Sequence, residues 1–240
     1  MWLYTLVMCL AIAAGILLSR ISQRSLPLKG IERFGVGLGA FCGAMLGAKL
    51  PFVLSDWSGF VSGAAWFSDG KTILLGMAGG YLGVEIAKWC LDIKTRTGDS
   101  FAVPVAVAVS IGRIGCFVGG CCYGTPTDLP WGVVFPQVDS LSRHPTQMYE
   151  SMFHLIVAGL MAIGIRRGWC QGQWFKIYIM IYATYRFVTE YVRPEARLWG
   201  SLTAYQWASL CLLLCFGWLW YHDVVIRSEA AGSNKTVPRE

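Results

Sequence analysis

Residues 112–124 read Gly-Arg-Ile-Gly-Cys-Phe-Val-Gly-Gly-Cys-Cys-Tyr-Gly. This segment sets Arg113, five glycines and three thiols at the end of an apolar run. An arginine is costly in hydrocarbon and is tolerated where it lines a cavity or meets an anion. A second polar group follows at Arg143-His144-Pro145-Thr146-Gln147-Met148-Tyr149-Glu150. A third, Tyr182, Arg186, Glu190 and Arg193, is spaced by four, four and three. On a helix that spacing stacks all four on one face. Glu190 would then pair with Arg186 below it and Arg193 above it.

Each group admits two readings. The Arg186–Glu190–Arg193 set is either a structural ion-pair ladder or a wall that binds an anion. Two arginines to one glutamate leave a positive surplus, and guanidinium forks grip phosphate through paired hydrogen bonds. Gly112 and Gly115 end the fourth span with Arg113, and with Gly119, Gly120 and Gly124 following, so many glycines predict a non-helical loop lining a protein-enclosed cavity. Its backbone N–H groups could face an anion, or the glycines could simply serve a tight reversal. His144 is either a solvated interface residue or a proton acceptor near neutral pH. Thr146 is expected to cap the following helix, with Tyr149 and Glu150 in its first turns. His154 falls in mid-span and His222 at the far end of the last span, which leaves His144 as the histidine of the site.

Nine cysteines are present, and six lie in or beside apolar runs, where cysteine acts as a small apolar filler. Cys116, Cys121 and Cys122 differ. They could form a disulfide, pack, or carry reactive thiol chemistry. Their spacing matches no common zinc pattern, so no metal is assigned to them.

The elements that must position these residues are membrane helices. The 240-residue chain is 55% hydrophobic and only 14% charged, too apolar for an ordinary soluble domain. Seven apolar runs, at 2–19, 36–54, 71–91, 100–119, 147–165, 172–191 and 201–222, each approach the length that crosses a bilayer core. The fold class expected is all-α, a seven-span membrane protein. The second and fourth runs are rich in glycine and alanine, which suits close helix packing.

The first run has no basic residue before it, and Arg20 and Arg24 follow it, so it reads as a span rather than a signal peptide. That order places the N-terminus outside and the C-terminus inside. Loops assigned to the inside then carry thirteen Lys and Arg residues, against four in the outer loops. The net charge of +6 is thus mostly an inward bias, with no nucleic-acid footprint. Residues 1–227 read as one membrane domain and 228–240 as a disordered cytoplasmic tail. In this topology Arg113, the thiols, Arg143, His144 and Arg193 all fall in the outer half of the membrane.

With these residues in hand, the chain resembles the bacterial prolipoprotein diacylglyceryl transferase family over roughly residues 37–215. The matching segments are Gly47-Ala48-Lys49-Leu50, Gly79-Gly80-Tyr81-Leu82-Gly83, Gly112-Arg113-Ile114-Gly115-x-Phe117 and Tyr123-Gly124. Pro130-Trp131-Gly132-Val133-Val134-Phe135-Pro136, Arg143 to Glu150, and Tyr182-x-x-x-Arg186-Phe187-x-x-Glu190-x-x-Arg193 complete them.

The resemblance implies an inner-membrane enzyme with its site toward the outer leaflet. It would move diacylglyceryl from phosphatidylglycerol to the lipobox cysteine of an exported prolipoprotein, without metal or nucleotide cofactor. Arg113 and Arg186 would bind the phosphate, Tyr182 would position the headgroup, and Glu190 with Arg193 would orient the arginines. Gly112, Gly115, Gly124, Arg143, Tyr149 and Glu150 would complete the substrate site. His144 or the phosphate itself would take the thiol proton.

The chain departs from the family pattern at Ala78, where a histidine is usual, and at Cys116 and Gly119, where asparagines stand. It also departs at Cys121 in place of glutamate and Thr125 in place of arginine. The N-terminal span lacks the usual arginine before a tyrosine, although Tyr4 stands in a related place. These departures leave a second expectation open. A paralogue could keep the phospholipid cavity but use another acceptor, its own thiols, or no reaction at all. Transport is disfavoured, because no pair of matched broken spans is present.

Overall fold

The structure, a computed structural model, describes residues 2–55, 57–63 and 70–233. It is mostly helical, and each apolar run folds as a helix. The helices are α1 (Trp2–Gln23), α2 (Gly30–Ser55), a short α3 (Trp57–Ser62), α4 (Ile73–Cys90), α5 (Gly98–Val118), α6 (Thr146–Arg166), α7 (Trp174–Thr189) and α8 (Ala204–Ser233). Five of these, α1, α2, α5, α6 and α8, are long and apolar enough to cross a membrane. The other two long helices differ in detail: α4 carries Glu85 and Lys88, and α7 has 16 residues. The predicted tail is helical as far as Ser233, and residues 234–240 lie outside the described residues.

Around an apolar core that includes Leu74, Met161, Tyr178 and Ile179, burial departs from that of a soluble protein. Leu46, Ile86, Trp89, Leu155, Leu160, Leu214 and Trp218 are exposed, while Arg113, Gln147, Glu150, His154, Arg186 and Glu190 are buried. Apolar surface on that scale matches hydrocarbon surroundings rather than water.

Small residues and paired hydroxyls set the helix spacing. Along the α2–α4 seam, a Cβ on Gly43 would stand 2.2 Å from the Gly79 carbonyl oxygen, and one on Gly83 would stand 2.1 Å from that of Gly39. The backbones therefore touch, the packing that small residues four apart permit in membranes. Gly79→Leu is expected to force this seam open, at about 1–3 kcal/mol or more. The check is a clear drop in the thermal midpoint of the detergent-solubilised protein, against little change for Gly37→Ala, whose Cβ meets nothing within 4 Å.

Nearer the polar residues, α5 and α6 are locked in register. Ser110 Oγ donates to the Ser151 carbonyl oxygen at 2.9 Å, and Ser151 Oγ donates to that of Ser110 at 2.9 Å. Asp99, in the first turn of α5, accepts from the backbone N–H groups of Gly172 (2.6 Å) and Trp174 (3.0 Å) and so holds the start of α7. Lys176 and Gln173 both reach Asp223, at 2.5 and 3.0 Å, tying α7 to α8.

Between α5 and α6, residues 119–145 form a cap with a two-residue antiparallel ribbon, β1 (Val133–Val134) on β2 (Ser142–Arg143). The all-α class holds, with this ribbon as its one sheet among the described residues.

Candidate active site

The end of α5, the start of α6 and the end of α7 meet under the cap, and Glu150 is their centre. Its fully buried carboxylate accepts from Arg113 Nη2 at 2.8 Å and from Arg193 Nη2 at 2.6 Å. It also accepts a short hydrogen bond from the Tyr182 hydroxyl. Arg186 Nη2 lies 3.0 Å from Glu190 Oε2, and its guanidinium stacks over the Tyr205 ring at 4.5 Å. Glu190 also accepts from Thr203 Oγ1 at 2.9 Å.

Three buried arginines thus face two buried glutamates. Arg113 Nε, Arg186 Nη1 and Arg193 Nε have no hydrogen-bond partner among the described residues. Buried donors without partners are costly, and the uncompensated positive charge is more so. An anion relieves both.

The arrangement corrects several expectations. Arg193 does not continue a ladder on α7. The helix ends at Thr189, residues 190–192 form a 3-10 turn, and Arg193 is extended, so its side chain reaches Glu150 instead of Glu190. Gly112 and Gly115 stand near the end of α5, within the expected span, and the helix runs on to Val118. Gly112 lines the cavity described below, and Gly115 gives room to Met8 on α1, whose Sδ would lie 3.1 Å from a Cβ there.

Gly124 does not offer its N–H to an anion, for it donates to the His144 carbonyl oxygen at 2.9 Å. Thr146 does not cap α6; its hydroxyl donates to the Cys122 carbonyl oxygen at 2.7 Å. Arg143 is held in the cap by Asp139, by the Gly124 carbonyl oxygen at 3.2 Å and by the Tyr123 ring.

His144 and Tyr149 stay apart from the arginines. The Tyr149 hydroxyl accepts from Trp131 Nε1 at 2.8 Å and lies 3.4 Å from His144 Nδ1. The histidine beside Glu150 is His154, with Nε2 3.8 Å from Glu150 Oε1 and Nδ1 2.8 Å from the Tyr178 hydroxyl. The four-residue step from Glu150 to His154 along one helical face was the sequence signal for it.

A cavity of about 1780 Å³ opens onto this centre. Arg113, Tyr182, Arg186 and Arg193 line it beside Glu150, α1, α2 and α5 form most of its walls, and Arg20, Arg24, Arg33 and Lys71 also line it. Its α5 wall extends from Phe101 to Cys116, about 22 Å at the helical rise. That exceeds one leaflet of a hydrocarbon core about 30 Å thick. The arginines beside Glu150, with the apolar stretch that runs from them along α5, fit an amphiphile carrying an anionic group.

Cys116, Cys121 and Cys122 line the same cavity. All are free thiols, so no disulfide joins them. Although their spacing in sequence follows no zinc pattern, their sulfurs lie within 4.8 Å of one another.

Fold and site together define a helical membrane protein with a buried, arginine-rich anion site in a largely apolar cavity. The family model described as prolipoprotein diacylglyceryl transferase matches residues 1–222. A phosphatidylglycerol–prolipoprotein diacylglyceryl transferase of Clostridium tetani is 30% identical over 207 residues, covering 81% of each chain. The enzyme of the same name from Legionella pneumophila (strain Corby) is 34% identical over 160 residues, 60% of each chain. That of Pseudomonas savastanoi pv. phaseolicola is 32% identical over 212 residues, 79% of this chain and 77% of its own. The chain belongs to the prolipoprotein diacylglyceryl transferase family.

Proposed function

We infer that this protein transfers diacylglyceryl from phosphatidylglycerol to the cysteine thiol of a lipobox in an exported prolipoprotein. The observation that carries this reading is the surplus of buried guanidinium donors lining a lipid-sized cavity. The phosphate sits among Arg113, Arg186 and Arg193, and the acyl chains follow the apolar walls between α1, α2 and α5. Glu150 holds Arg113, Arg193 and Tyr182 in place, and Glu190 holds Arg186.

The substrate sulfur forms a bond to the glycerol carbon as the bond from that carbon to the phosphate oxygen breaks. The departing glycerol phosphate takes the thiol proton. The arginines stabilise the charge that grows on that oxygen, and this electrostatic contribution is the largest the site supplies. His144 lies in the cap with Tyr149, so the phosphate is the better placed proton acceptor. A peptide with a lipobox cysteine should release glycerol phosphate from phosphatidylglycerol, while its cysteine-to-serine counterpart should not. Equal release from both peptides would sink the assignment.

A second reading follows from the thiols that line the same cavity: a family member whose own cysteines, or another acceptor, take the lipid. Lipid found on Cys116, Cys121 or Cys122 instead of on the peptide would favour it.

The proposed setting is a bacterial inner membrane with all seven long helices crossing it, the N-terminus outside, and the site toward the outer leaflet. The support is the uneven distribution of lysine and arginine between alternate loops. A fluorescent reporter that folds only in the cytoplasm should light up when fused after the C-terminus and stay dark when fused before the N-terminus. The reverse pattern contradicts the orientation.

A further inference from the structure

Cys121 and Cys122 follow directly on the end of α5, and the way that helix ends decides where their sulfurs go. Gly120 has φ 63°, the Cys121 N–H reaches back to the Cys116 carbonyl oxygen at 3.1 Å, and the Gly120 N–H reaches that of Phe117 at 3.1 Å. These are the two hydrogen bonds of a Schellman ending with glycine in the left-handed position. Such an ending brings the residue after the glycine against the residue five before it, usually as an apolar contact. Here both positions are cysteine. The chain is then turned a second time at Cys122, whose φ of 60° is uncommon for a residue with a side chain.

Two consecutive carbonyl groups of this turn are tied down from α6. Gln147 Nε2 donates to the Cys121 carbonyl oxygen at 2.6 Å, and Thr146 Oγ1 donates to that of Cys122 at 2.7 Å. The loop is therefore held from both sides in a strained form that gathers three thiols within 4.8 Å. Strain at a non-glycine residue persists where the surroundings enforce it, and it concentrates at functional places.

We propose that Cys116, Cys121 and Cys122 form a binding site for a soft monovalent cation with a filled d shell, of which Cu(I) is the representative. Three thiolates around a central ion at about 2.3 Å stand about 4 Å apart, which the observed spacing reaches by small side-chain rotations. Thiolate sulfur selects Cu(I) and zinc, whereas structural zinc asks for a fourth ligand. No histidine or carboxylate joins this group among the described residues. Three sulfurs without a fourth partner favour the lower coordination number.

Charge supports the same assignment. Three thiolates around one monovalent cation carry a net double negative charge; Arg113 and Arg193 line the cavity beside them and, after sharing the one charge of Glu150, offset half of it. On binding, three S–H protons leave to solvent as three sulfur–metal bonds form, with no change in oxidation state. Cys121 and Cys122 are exposed, so the ion can exchange without unfolding the cap.

The inference goes beyond the lipid reaction, and its readout is metal binding alone. Full-length protein in detergent, kept reduced, is titrated with Cu(I) held by a coloured chelator. One Cu(I) per chain should transfer from the chelator, with a new thiolate-to-metal absorption in the ultraviolet. Cys121→Ser should weaken binding by at least about 100-fold, the upper range for losing even an outer partner of a metal ligand. Cys121→Met, which keeps a soft sulfur, should retain more affinity than Cys121→Ser. Cys90→Ser and Cys211→Ser should change nothing, and helical circular dichroism confirms that each variant is folded. Binding that survives Cys121→Ser and Cys122→Ser, no transfer at all, or tighter binding of Zn(II) than of Cu(I) would each overturn the assignment.

Discussion

Arg186→Ala should reduce diacylglyceryl transfer by about three orders of magnitude while leaving a folded protein. Removing one preorganised donor from an anion site costs about 10²–10³ in rate, and a guanidinium on a phosphoryl group can be worth more. Arg186 contributes an unpartnered buried Nη1 and a planar group fixed by Tyr205. This too breaks a buried ion pair, at about 3–5 kcal/mol, but one pair and not two, and Glu190, the partner left behind, still accepts from Thr203, so the fold should survive with a lowered thermal midpoint. Arg186→Lys keeps the charge but loses the fork and the stacking, so it should fall between the two. Steady-state rates with phosphatidylglycerol and a lipobox peptide read this directly. A loss of less than about tenfold for Arg186→Ala would remove that residue from the reaction.

Glu150→Ala should act differently, through stability. Its carboxylate is the common acceptor for Arg113, Arg193 and Tyr182, and all four side chains are buried. Without it two guanidinium groups face each other in a low-dielectric interior with no counter-charge. Breaking a buried ion pair from one side costs about 3–5 kcal/mol, and here two pairs share the lost partner. The expected result is a protein that accumulates poorly and whose thermal midpoint in detergent falls far below that of the parent. Glu150→Gln keeps the shape and should recover part of the yield but little of the activity, since Arg113 and Arg193 lose the charge that orders them. A Glu150→Ala protein with an unchanged midpoint would contradict the view of Glu150 as the keystone of the site.

The helices were largely legible in the sequence. The apolar runs at 71–91 and 147–165 became helices over Ile73–Cys90 and Thr146–Arg166, because a long apolar stretch in lipid has few alternatives to helix. The glycine-rich second run also packs as its composition suggests, against glycines of α4. That Arg113, Tyr182, Arg186 and Arg193 would come together at a cavity was legible by residue type, since polar side chains in an apolar chain need partners.

Pairing was less so. The spacing of Glu190 and Arg193 suggested a contact only as long as the helix was taken to continue, and it stops at Thr189. The true partner, Glu150, is 43 positions away, beyond the reach of any local periodicity. The cap is similar: Arg143, His144 and Tyr149 sit next to the site in sequence, but the ribbon and the Trp131 contact turn them to other partners. The thiol cluster depends on left-handed backbone at Gly120 and Cys122, which spacing alone does not reveal.

If this arginine-lined cavity delivers diacylglyceryl to a peptide thiol, the peptide itself records the reaction. The most direct measurement incubates purified protein in detergent with phosphatidylglycerol and a lipobox peptide and weighs the peptide by mass spectrometry. A diacylglyceryl group should appear on the peptide cysteine with one glycerol phosphate released per adduct, and both products should fall about a thousandfold with Arg186→Ala. An intact preparation that still binds phosphatidylglycerol but leaves the peptide mass unchanged would contradict the transferase reading.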